Sequence, residues 1–97
     1  RAWVNFNGTG VVAIRASGNV SSITDTGTGD YTVNFANAMQ DANYAVTGSA
    51  SGGDSGGEET ILFPIENTFT TTGVDLRTSS GGGSSVDPIH VSLAFFR

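Results

Sequence analysis

Ala2-Trp3-Val4-Asn5-Phe6 runs into Asn7-Gly8-Thr9-Gly10, and Val11-Val12-Ala13-Ile14-Arg15 follows. Beyond Ser17-Gly18-Asn19 comes Val20-Ser21-Ser22-Ile23-Thr24, and beyond Thr26-Gly27-Thr28-Gly29-Asp30 comes Tyr31-Thr32-Val33-Asn34-Phe35. Apolar and polar residues alternate between Asn-Gly and Gly-x-Gly breaks, the pattern of short strands joined by hairpins. Because side chains of a strand point alternately to its two faces, Ala2, Val4 and Phe6 share one face and Trp3, Asn5 and Asn7 the other. Tyr31, Val33 and Phe35 form a second inward set. Each strand reads as half-buried, as in a sheet packed on one side.

Outward from this stretch the alternation lapses over residues 36–43, which read as a crossing loop carrying the chain between two layers. Tyr44-Ala45-Val46-Thr47-Gly48-Ser49 resumes it. Residues 51–57 are too rich in glycine for regular structure. In Thr60-Ile61-Leu62-Phe63-Pro64-Ile65 the proline removes a ladder donor, so this strand lies at an edge or stops there. Glu66-Asn67 is the expected hairpin tip before a strand from Phe69 to Arg77. A second glycine-rich tip spans residues 79–85. The last run places Ile89, Val91, Leu93 and Phe95 inward and His90 outward. No segment has a helical period. The expectation is one all-β domain over residues 1–97, a small antiparallel β-sandwich of about seven to eight strands.

Composition narrows the function classes. In 97 residues, 37% are hydrophobic, 13% are charged and none is cysteine. So small a core has neither disulfides nor thiolate-bound zinc to reinforce it, and association with further copies is the natural remedy. The net charge is −5 and the cations are Arg1, Arg15, Arg77 and Arg97. Four scattered arginines make no phosphate-neutralising patch, so nucleic acid is not an expected partner. No run approaches the length of a membrane-spanning helix, and membrane insertion is not expected. Strand residues follow Arg1 at once without an initiating methionine, so the chain reads as a fragment of a longer protein.

Gly53-Asp54-Ser55-Gly56-Gly57 matches Gly-x-Ser-x-Gly and also the pentapeptide around the nucleophile of trypsin-like proteases. Asp75 and His90 follow in the order of the α/β-hydrolases. A nucleophile elbow needs a strand before the serine and a helix after it, whereas Ser55 lies in a glycine-rich tip followed by another strand. A trypsin-like site needs its histidine before the serine. No enzymatic activity is therefore expected.

Asp54, Glu58 and Glu59 offer carboxylates to a hard cation, but without calcium-loop spacing they read as a solvated acidic loop. His90 reads as a surface or subunit-contact residue; an intersubunit metal ring would need symmetry to multiply a single histidine. Neither a metal nor a cofactor is expected. Trp3 and Phe96 are the aromatics that fall opposite the main apolar set of their strands. They suit either a sugar-stacking platform or burial against another subunit, and the interface is the preferred reading.

The stretch from Ala2 to Phe35 quoted above, with Asp41-Ala42-Asn43-Tyr44, resembles a short module of tailed-bacteriophage virion proteins, common at the C-terminal ends of tail fibres. The likeness covers about half the chain. Val11, Thr26 and Gln40 depart from it at turn and surface positions. The resemblance implies a distal, homotrimeric, β-structured fibre-tip domain on the virion that helps attach the phage to a host cell-surface glycan or protein, without enzymatic activity. The candidate recognition residues are then Asp54, Ser55, Glu58, Glu59, Ser84 and Ser85 in the two glycine-rich loops. Trp3, His90 and Phe96 are the candidate subunit contacts. The alternative is a carbohydrate-binding module of a secreted enzyme.

Overall fold

The computed structural model describes residues 1–52, 59–80 and 82–97, with the backbone alone at Glu59. Eight strands form in chain order: β1 (Ala2–Asn7), β2 (Ala13–Gly18), β3 (Val20–Gly27), β4 (Asp30–Phe35), β5 (Ala45–Ser51), β6 (Glu59–Pro64), β7 (Gly73–Ser80) and β8 (His90–Phe96). All pair antiparallel in one sheet of order β2-β1-β8-β5-β6-β7-β4-β3. The chain is thus all-β and antiparallel, with a nearly closed sheet in place of two separate ones.

The two layers of the expected sandwich are the two halves of that sheet, folded face to face. Phe6 of β1 meets Tyr31 of β4 edge-on at 5.3 Å between ring centroids. Phe35 of β4 meets Phe95 of β8 at 5.1 Å. Ala2, Val4 and Phe6, together with Tyr31, Val33 and Phe35, are buried as their alternation requires. Tyr44 closes one end of this core, donating its hydroxyl to the carbonyls of Thr70 and Gly73 at 2.9 and 3.0 Å. Burial pushes that phenol's pKa above its ordinary value of 10.0.

The fold line lies between β5 and β6, which share only two residue pairs, Ala50 with Thr60 and Ser51 with Glu59. Pro64 sits where β6 has already parted from β5, so its missing N–H costs no ladder bond on that side. Where β2 and β3 approach, Asn19 alone makes the corner at φ 56°. Asparagine tolerates this left-handed backbone better than most residues, and its side chain is also used. Asn19 Oδ1 accepts from the Asn37 amide at 2.7 Å, and Nδ2 donates to the carbonyls of Asn37 and Arg1.

Some expected boundaries shift. Residues 36–43 do cross between layers, linking β4 to β5. The segment after Pro64 is not a two-residue tip, because Glu66–Thr68 forms one turn of 3-10 helix and β7 starts only at Gly73. Thr68 and Thr70 cause this, since their hydroxyls bond backbone groups of Ile65, Gly73 and Asp75 and so compete with strand pairing. Val11, expected in the second strand, is exposed because the Asn7 carboxamide holds both the amide and the hydroxyl of Thr9 and lengthens the turn. Ile89, expected inward, precedes β8; its amide bonds the Gly52 carbonyl at 3.0 Å and its side chain is exposed.

Candidate functional site

The strand directions give the molecule two unlike ends. Arg1, Arg97, the Asn19 corner and the connections 36–44 and 65–72 lie at one. The turns 8–12 and 27–29, the ends of β5 and β6, and the loop 82–89 lie at the other. Serine and glycine collect at this loop end, away from the chain termini.

The 82–89 loop divides into an anchored and a projecting part. Thr78, fully buried, donates its hydroxyl to the Val86 carbonyl at 2.8 Å, and its amide donates to the Gly29 carbonyl at 2.7 Å. Asp87 Oδ1 accepts from the Gly29 amide at 2.8 Å. The Tyr31 hydroxyl lies 2.9 Å from that same oxygen and 2.8 Å from the Gly8 carbonyl, so its one proton serves either acceptor. Val86 and Pro88 are buried under this knot. Ser84 and Ser85 are exposed at the tip, where the Ser84 carbonyl and amide bond the Ser80 amide and hydroxyl. Asp54, Ser55 and Glu58 fall outside the described residues, as does the side chain of Glu59. Asp75 and His90 project from opposite halves of the sheet on its outer surface, so they do not share a site.

Trp3, His90 and Phe96 all lie on one surface, the outward face of β2-β1-β8-β5, but only Trp3 and Phe96 are close to each other. Trp3 is opposite Ala94, two residues from Phe96 on the same face, so the two aromatics are diagonal neighbours. Trp3 is 49% exposed and Phe96 45%. His90 stands at the loop end of the same strand, about 20 Å from Phe96 at the usual rise per residue. The Arg1 guanidinium lies over the Phe96 ring, 5.5 Å from its centroid.

Gly18 sits beneath the indole. A Cβ there would collide with Trp3 Nε1, so the pyrrole part of the indole packs against bare backbone while the side chain stays exposed. Alternation in β1 reveals the exposed tryptophan, but the partner that fixes its orientation lies on another strand and reads in sequence only as a turn glycine. Arg15 was equally illegible as part of this face. Its guanidinium folds back to the Asn5 carboxamide at 3.4 Å and the Ile89 carbonyl at 2.7 Å.

No family model matches this chain, and neither a curated protein nor a solved structure matches it. Its chemistry is therefore read from the face and the loop end alone. The face carries an exposed aromatic pair among small side chains, and the loop tip carries exposed hydroxyls.

At the terminal end, Asp41 forms a fork with Arg97, with contacts of 2.8 and 2.7 Å. The Arg97 hydrogen bond, followed by that from the Asn43 amide, lowers the Asp41 pKa from 3.8 to about 2. A lowered carboxyl pKa contributes stability above its unfolded value and loses it as pH falls through its folded one. The stabilisation is therefore complete above about pH 4 and fades toward pH 2. Its amplitude is small because both groups face solvent. A carbon-detected NMR titration is expected to place the Asp41 midpoint near 2, and Arg97→Ala to move it back toward 3.8.

Proposed function

We propose that the chain is a homotrimeric tip domain of a phage tail fibre, carried on the virion and used to attach to a host cell-surface glycan or protein. The placement of both chain termini at one end and the exposed Ser84-Ser85 loop at the other supports this most directly. It suits a domain held at one end and presenting loops at the other. The likeness of Ala2 to Tyr44 to the virion module supplies the biological setting.

Recognition by such loops combines weak single contacts. Ordering a glycine-rich segment costs entropy on binding, and three copies on one axis recover affinity through effective concentration. Size exclusion with light scattering on the 97-residue chain tests the assembly: a trimer at micromolar concentration is expected, and a stable monomer would sink the proposal.

A second reading, a monomeric carbohydrate-binding module, is favoured by one observation, the half-exposed indole of Trp3 packed on Gly18. It predicts a monomer that binds on a glycan array and loses binding on Trp3→Ala. Glycan binding by a trimer that survives Trp3→Ala points instead to the loops.

A further inference from the structure

Charge is divided unequally between the halves of the sheet. β1, β2, β5 and β8 contain no acidic residue; Arg15 is their only residue with a permanent charge, and the Arg1 guanidinium lies over Phe96 at the end of the same face. β3, β4, β6 and β7 carry Asp25, Asp30, Glu59 and Asp75, against the single cation Arg77. At a net charge of −5, copies of this chain repel one another, and least where acids are absent.

The outward surface of the acid-free half is also shaped for close approach. Gly18, Trp3, Ala94 and Thr47 form one row across its strands, and Ala16, Asn5, Ser92 and Ser49 form the next. Small side chains leave the middle of this surface low, with Trp3 and Phe96 exposed at its terminal end and Arg15 and His90 exposed toward its loop end. Trp3 is already seated on Gly18, so burying it against a partner orders little that is not ordered already. A rigid aromatic on a face free of lysine and carboxylate has the make-up of an interface centre.

Resting on the trimeric reading, we infer that the outward face of β2-β1-β8-β5 is the surface through which the copies associate. Three such faces turned toward a common axis form a prism, with β1 and β8 innermost and β2 of one copy beside β5 of the next. The small Ser92 and Ala94 side chains admit the close approach, and Trp3 and Phe96 fill the terminal end. The acidic halves face outward, away from one another.

Trp3 is the only tryptophan, so its fluorescence reports on this face directly. The test combines light scattering with Trp3 emission and acrylamide quenching on the 97-residue chain. Two charge-matched variants are included: Ala94→Arg in the middle of the face, and Thr26→Arg on the exposed stretch of β3. The expected result is a trimeric parent and Thr26→Arg variant with blue-shifted emission. Ala94→Arg is expected to be monomeric, with red-shifted emission and quenching several-fold stronger.

A trimer whose Trp3 is as open to acrylamide as free indole overturns the assignment of this face while leaving the trimer intact. That outcome would free the indole for a sugar. A folded Ala94→Arg variant that remains trimeric overturns it equally. A parent chain that is monomeric throughout removes the trimer itself, and the face with it. Should Ala94→Arg lose its β-sheet circular dichroism, the quenching of the parent trimer decides without any variant.

Discussion

Phe95→Ala is expected to lower the unfolding free energy by about 4 kcal/mol, within the range for deleting a fully buried aromatic ring. Phe95 has no exposed surface, and its ring lies 5.1 Å from Phe35 and 6.1 Å from Tyr44. It therefore carries packing between the layers as well as burial along β8. Removing it opens a cavity that rigid strand ladders on both sides cannot collapse to fill. Domains of this size hold about 5–15 kcal/mol in total, so such a variant has little stability left. Urea titration at fixed protein concentration checks it: the midpoint should fall strongly with the slope unchanged. The concentration must be fixed because association of folded copies adds stability by mass action. A loss below about 1 kcal/mol would mean that the layers are not held by this ring.

Gly29→Ala is expected to cost about 3 kcal/mol, from left-handed strain and steric clash together. Gly29 has φ +72°, and a Cβ there would lie 2.5 Å from the Thr78 carbonyl oxygen and 2.9 Å from that of Val86. Both obstacles are backbone, so relief means moving the strand end or the loop it anchors. Thr78→Val is the gentler companion. It keeps the shape of a buried side chain but removes the hydroxyl that bonds Val86, for about 1–2 kcal/mol. Because both substitutions loosen one knot, the double variant should cost less than their sum. Thermal unfolding of the four-member set measures this, and additive losses would contradict a shared knot. Loosening here should also disturb the Ser84-Ser85 tip before it touches the Trp3 face.

What was legible in the sequence followed from local periodicity. The buried faces of β1 and β4 are strict alternations with turn residues at their ends, so Val4, Phe6, Tyr31, Val33 and Phe35 were readable as core. The crossing loop was readable because alternation stops there. The exposed aromatics were also visible, as apolar side chains on the wrong face of their strands. Strand order was not, because β8 lies between β1 and β5 through pairings that join opposite ends of the sequence. Whether two layers are separate sheets or one folded sheet turns on two residue pairs between β5 and β6, which no periodicity marks. Ile89 and Phe69 misled for a simpler reason: alternation continues past the point where hydrogen-bonded pairing ends. Gly18 and Asp87 act on Trp3 and Tyr31 across the fold, and distant contacts of that kind leave no local trace.

The place of β8 in the sheet has a consequence for how the protein comes into being. The last of these eight strands in chain order stands between the first, β1, and β5. The β1–β2 and β3–β4 hairpins have all their residues early and can form locally as the chain grows. The half that carries Trp3 cannot be assembled until Phe96 has emerged, because β1 and β5 are connected only through β8. Until then each exposes an unpaired strand edge, the usual template for mispairing between nascent chains. The half that carries Trp3 is thus completed only when β8 is in place, and a chain without β8 would leave the facing edges of β1 and β5 unpaired.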